Sequence, residues 1–160
     1  MKLVPIGEIL EISTPKRFAY PHVAARGNDE GLDFVRVLPG VFPQRPSDFE
    51  ALVDTRELCY LQLPIGPLVR MKYAVRAGNI IREFITRPES MREAQFGPEG
   101  LRGWHIIDTR TLKRTFVRTL SADQKKLSTY GIPTFDGLLA IIETGIPTEE
   151  WDWELRKKPE

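Results

Sequence analysis

Residues 6–25 read IGEILEISTPKRFAYPHVAA, and this stretch decides the fold. Ile6, Ile9, Leu10 and Ile12 interleave with Glu8 and Glu11 in an imperfect strand alternation. Ser13-Thr14-Pro15-Lys16 is a turn cluster, with Pro15 suited to the first central position. Phe18, Tyr20 and Val23 begin the return. Pro21 cannot donate to a ladder, so an edge or a bulge is expected there. The stretch therefore predicts a β-hairpin that opens a curled sheet or a small barrel.

Outward from the hairpin the chain is cut into short elements. Thirteen prolines, about 8% of the residues, exceed the usual ~5% and argue against a helical bundle. Leu32–Leu38 reads as a strand, and Pro39–Pro46 as an ordered crossing loop. Ser47-Asp48-Phe49-Glu50 fits a capping box, with Ser47 as the cap of a short helix reaching about Val53. Leu58–Leu63 and Leu68–Val75 read as strands, whereas Ile80, Ile81, Phe84 and Ile85 fit strand or helix equally. Glu89–Arg102 is polar and is expected to be a long surface connection. Gly103–Ile107 is a compact apolar strand, with Trp104 the expected companion of the hairpin in the core, and Thr115–Leu120 a further short strand. Ser121–Gln124 repeats the capping signature, predicting a helix to Tyr130 stopped by a left-handed Gly131. A last helix spans about Phe135–Glu143 and ends at Gly145 and Pro147. The expectation is one α+β domain over residues 1–147: an N-terminal antiparallel curled sheet or SH3-like barrel with two or three short helices, the last two C-terminal. Residues 148–160 form a charged tail.

A chain of 160 residues buries roughly 70% of its unfolded surface and needs no disulfide or metal to hold it. The one cysteine, Cys59, excludes an internal disulfide and fits a reducing compartment. The start MKLVPIGEILEI makes a poor signal peptide, and no apolar run approaches the roughly 20 residues of a spanning helix. The expected location is the cytoplasm.

No complete catalytic or metal motif is present. Cys59 lies in a strand pattern, where a buried small hydrophobe is the ordinary outcome, although His105 and Asp108 could be imagined as base and orienter. His22 and His105 lack a second ligand at a zinc spacing. The glycines of 27–31 enclose Asp29 and Glu30, which repel rather than cradle a phosphate. The reading is a non-enzyme with no cofactor.

Formal net charge is +1, so bulk charge does not point to nucleic acid or an anionic membrane. Charge is nonetheless uneven. Residues 101–126 carry Arg102, Arg110, Lys113, Arg114, Arg118, Lys125 and Lys126 against Asp108 and Asp123. That stretch supports an alternative function, nucleic-acid binding by a small barrel, without any motif that specifies it. Two acidic clusters point instead to a protein partner: Asn28-Asp29-Glu30, and Glu149-Glu150-Trp151-Asp152-Trp153-Glu154. Indole in an acidic tail either folds back onto the domain or awaits a partner, and carboxylates beside aromatic anchors suit a basic protein surface. Asp29, Glu30, Glu149, Glu150, Trp151, Asp152 and Trp153 are the expected partner-binding residues.

Two stretches resemble the immunity protein 26 family of bacterial polymorphic-toxin systems. One is Ile6-Gly7-Glu8-Ile9-Leu10-Glu11-Ile12, a turn, then Arg17-Phe18-Ala19-Tyr20 leading to Val23. The other is Gly103-Trp104-His105-Ile106-Ile107, followed by a short strand and a closing helical region. Pro21-His22 departs from the small residue expected after Tyr20. The resemblance carries over no catalytic residue. It implies a protein that binds a cognate toxin domain and blocks it, with the hairpin as frame and the binding surface on loops and acidic segments.

Overall fold

The computed structural model describes residues 4–14, 17–29 and 31–145. The fold is α+β, built on mostly antiparallel sheets. The first sheet contains β1 (Glu8–Ser13), β2 (Phe18–Ala19), β3 (Pro21–Arg26), β4 (Asp33–Val37), β5 (Cys59–Leu63) and β6 (Val75–Asn79). Its order is β2-β1-β3-β4-β5, with β6 on the other side of β1. Two short helices, α1 (Phe49–Val53) and α2 (Ile65–Arg70), interrupt the run from β4 to β6. The second sheet is the meander β7 (Ser90–Gly97), β8 (Gly100–Asp108) and β9 (Arg114–Val117). A single 3-10 turn, Gln124–Lys126, and α3 (Phe135–Thr144) follow.

The hairpin forms as expected, but Pro21 does not bulge it. Ile12 pairs with Ala19 and Ile9 with His22, so the register is the same on both sides of Pro21. The irregularities lie between Ile9 and Leu10 against β6, and between Val23 and Ala25 against β4. The sheet is not closed, since β5 and β6 do not pair.

Both faces of this sheet are covered, which explains the imperfect alternation. Leu10, Ile12, Ala19, Val23, Val35, Val37, Cys59 and Leu61 face α3, which contributes Leu138, Ile141 and Ile142. Ile9, Tyr20, Ala24 and Leu38 on the other face meet Leu52 and Val53 of α1 and Ile85. All five residues of β4 are therefore buried, Arg36 included. Fully burying side chains of this size stabilises the fold by about 1.5–3 kcal/mol each.

The departures from expectation have local causes. The cap of α1 is Asp48, which accepts from Ala51 N at 3.0 Å, one residue later than Ser47. Leu68–Arg70 belong to α2 rather than to a strand. Pro64 sits at its N-cap and Pro67 in its first turn, where a missing N–H costs nothing. Glu89–Arg102 is not a surface connection but most of the β7–β8 hairpin, in which Gly97 pairs with Gly100 around Pro98-Glu99. The Ser121 box forms reciprocally: Ser121 N donates to Gln124 Oε1 at 2.9 Å and Gln124 N to Ser121 Oγ at 3.2 Å. Its helix stops after one turn because the chain is drawn out to bridge the sheets. Tyr60 N donates to Ser128 Oγ at 2.9 Å, Arg92 N to Ser128 O at 2.9 Å, and Tyr130 N to Arg92 O at 2.7 Å. Gly131 accordingly is not left-handed, whereas Gly145 closes α3 at φ +70°. Among the described residues one α-helix, not two, is C-terminal to the sheets. Trp104 is half-buried in the second sheet, 5.1 Å from the Arg92 guanidinium, and not a member of the hairpin core.

Candidate protein-binding surface

The acidic loop between β3 and β4 is anchored rather than free. Asn28 donates to Thr109 O through its amide nitrogen and accepts from Arg87 Nη1 at 3.0 Å. Arg87 also lies over the Phe34 ring at 5.7 Å. Asp29 is exposed beside this tie. Glu30, Glu149, Glu150, Trp151, Asp152 and Trp153 lie outside the described residues. A cleft of about 480 Å³ opens nearby, lined by Arg87, Glu89, Ser90, Asp108, Thr109 and Arg110. Asp108 is already engaged: its Oδ1 accepts from Arg110 N at 3.0 Å and Thr111 N at 2.7 Å, and these bonds hold its carboxyl below the ordinary range. Two guanidiniums and two carboxylates line the cleft, a mixed field that selects neither sign of ligand.

The structure separates the groups weighed for chemistry. Cys59 is buried in the core beneath α3, and burial pushes its thiol up to about 12. It is a thiol at neutral pH, a poor nucleophile. His22 is buried on the opposite face, its Nε2 2.8 Å from Ile80 O, and burial lowers its pKa. The neutral ring donates from Nε2. His105 stands on the second sheet, with Nδ1 3.7 Å from Glu93 Oε2 and its ring edge-on to Phe116 at 5.8 Å. Among the described residues no cluster of three His, Cys, Asp or Glu could hold a metal, and no helix is long and apolar enough to cross a membrane.

The basic stretch runs over β8, the turn after it, β9, the residue after that and the 3-10 turn, and Arg102, Arg110, Lys113, Arg114, Arg118, Lys125 and Lys126 are all exposed. Part of its charge is balanced in place. Arg114 Nη1 lies 3.6 Å from Glu93 Oε2, and Lys126 Nζ lies 2.9 Å from Asp123 Oδ1.

Sequence reasoning missed the turn after β6. Among the described residues Ile81 and Phe84, at 64% and 71%, are the two most exposed large apolar side chains, and Ile6, which shares a small cleft with Ile81, is 41% exposed. Ile85 N donates to Arg82 O at 3.0 Å, so Glu83 and Phe84 occupy the corners of a β-turn, positions usually given to polar residues. The turn is fixed at its base. Ile80 N donates to Gly7 O at 2.8 Å and Asn79 Nδ2 to Ile6 O at 3.0 Å. Gly7 is required there, because a Cβ would lie 2.7 Å from Ile81 Cγ1 and 2.9 Å from Ile80 O. Arg82 Nε donates to Asp54 Oδ1 at 2.8 Å and its Nη2 to Glu50 Oε2 at 3.4 Å, which ties the turn to α1. The one signal in the sequence was an apolar group, Ile80 to Ile85, whose pattern does not decide between strand and helix.

Compared with known protein families, curated proteins and solved structures, the chain matched none.

Proposed function

We propose that this chain is a cytoplasmic immunity protein that neutralises a bacterial toxin domain by stoichiometric association, as its resemblance to the immunity protein 26 family implies. The observation that carries the reading is the fate of the residues behind that resemblance. Ala19 sits in the core under α3. Tyr20 sits in the core under α1, edge-on to Phe42 and Phe49 at 5.6 and 5.2 Å, with its hydroxyl on Glu11 at 3.0 Å. The motif is a frame, so function falls to the loops it holds. The same proposal takes the first sheet as an open SH3-like barrel. A four-strand meander, a short helix and a strand returning to β1 follow the chain order of an SH3-like barrel, left open between β5 and β6. Inhibition is by occlusion, with acidic and apolar loops laid on a basic toxin face. Co-expression with the toxin encoded beside this gene tests the reading. Growth rescue and a 1:1 complex are expected, and the absence of both overturns it.

A second reading, nucleic-acid binding, is favoured by one observation: Arg102, Lys113, Arg114 and Arg118 are exposed on β8 and β9 or directly beside them, next to the half-exposed ring of Phe116. It requires affinity for an oligonucleotide that falls steeply with salt. No binding at low salt removes it.

A further inference from the structure

We infer that the turn Ile81–Ile85 is the anchor with which this protein seats its toxin: Phe84, on the same exposed turn as Ile81, enters an apolar pocket whose rim is basic. The inference rests on the toxin-binding reading and names the surface that performs it. Three independent features point to this surface rather than to the Asn28–Asp29 loop.

The first is exposure at a place where it is costly. An aromatic ring at a turn corner leaves a large apolar area in water, an area that binding alone would bury. The second is rigidity. The turn is held by Gly7, by the buried His22, by Ile85 in the core and by Arg82 on α1. A side chain presented on a fixed loop loses little freedom on docking, so more of its burial appears as affinity. The third is the rim. Glu83 lies on the turn and is exposed, and the Glu50 and Asp54 carboxylates of the adjoining helix are 74% and 50% exposed. Arg82 offsets one of these three charges, leaving a net acidic border around an apolar knob. Its complement is an apolar pocket bordered by lysine or arginine, an arrangement suited to a toxin domain with a basic working face.

The test compares the wild-type chain with Phe84→Asp and with Glu50→Lys/Glu83→Lys, using the purified domain of the neighbouring toxin as probe. Binding is read by calorimetry and stopped-flow, and folding by thermal melting. Phe84→Asp is expected to melt with the wild type and to weaken binding by about 30-fold or more, the loss typical of a central aromatic anchor. The charge-reversed variant is expected to slow association and flatten its salt dependence. Should aspartate disturb the fold, Phe84→Ser reads the same contact. Wild-type binding with Phe84→Asp or Phe84→Ser within threefold of it overturns the anchor and leaves toxin binding standing. An unchanged association rate in the charge-reversed variant overturns the basic rim. Failure of the wild type to bind overturns the functional reading and the anchor together. A wild-type dimer that Phe84→Asp renders monomeric assigns the knob to self-association and overturns it as a toxin contact.

Discussion

Replacing Arg36 by leucine should cost this protein about 3–5 kcal/mol, and the reason lies in backbone carbonyls more than in an ion pair. Arg36 is 3% exposed in the middle of β4. Its guanidinium donates to Val53 O at 3.0 Å, to Thr55 O at 2.7 Å and to Glu57 Oε2 at 3.2 Å. The two carbonyls belong to the end of α1 and the residues after it, where acceptors have no intrahelical partner. Leucine replaces the apolar stem but leaves Val53 O buried and Thr55 O partly buried, both without this donor, at roughly 1–3 kcal/mol each. The carboxylate matters less, because the Glu57 side chain is 27% exposed and can rehydrate. The sum lowers the melting midpoint by about 10 °C for a chain of this size. Urea titration followed by tryptophan fluorescence, with thermal melting by circular dichroism, measures it. A loss below about 1 kcal/mol would refute the reasoning, as would Glu57→Gln alone reproducing the whole effect.

His22 should make folding sensitive to mild acid. Burial holds its pKa below 6.5, so the unfolded chain takes up a proton that the folded chain resists, and stability falls as pH drops below about 7. The slope attributable to His22 is at most ~1.4 kcal/mol per pH unit, and His22→Gln should flatten the profile between pH 5 and 7. The Cys59 thiol, raised to about 12 by burial, should react with a disulfide reagent only as fast as the chain opens, and prompt labelling of the native protein would contradict its place in the core. Gly103→Ala should loosen β9 at a cost of about 1–3 kcal/mol, since a Cβ would lie 2.5 Å from Val117 O and 2.7 Å from Phe116 Cζ. Faster amide exchange across Arg114–Val117, with β1–β5 unchanged, is the expected readout.

Strands β1, β3, β4 and β5 of the first sheet were legible because each carries a dense apolar set bounded by turn residues. Strand β6 was not: VRAGN has no buried residue, and the expected strand Leu68–Val75 meets it only at Val75. β4 and β5 fall within one residue of their expected ends. The second sheet was half legible. Trp104-His105-Ile106-Ile107 announces β8, but β7 reads SMREAQFG, where only Met91 and Arg92 are buried. Its strand character comes from pairing with β8, information that a local pattern does not carry. Leu68-Val69-Arg70 looks extended in composition and is helical because Pro64 and Pro67 fit a helix start. For the surface, the sequence pointed to Asp29 as partner-binding, and it is exposed, but Ile81 and Phe84 fitted a strand or helix. Hydrophobic composition predicts burial. The bonds that fix the base of this turn, Ile80 N to Gly7 O and Arg82 to α1, join residues far apart in the sequence, and the turn leaves both side chains exposed.

The buried polar groups of β3 and β4 link the hairpin to the proposed anchor. His22 and Arg36 are direct cross-strand partners. His22 holds Ile80 O, at the root of the turn that presents Phe84. Arg36 holds Val53 O and Thr55 O, at the end of the helix that presents Glu50 and Asp54. Arg82 then joins turn to helix from outside. Apolar residues at positions 22 and 36 would fill the same face of the sheet without fixing where α1 and the turn sit on it. Directional bonds fix both, so the apolar knob and its acidic rim keep one geometry relative to each other. On this account Pro21-His22 is less a flaw in the hairpin than the means by which this chain holds the proposed contact surface in place.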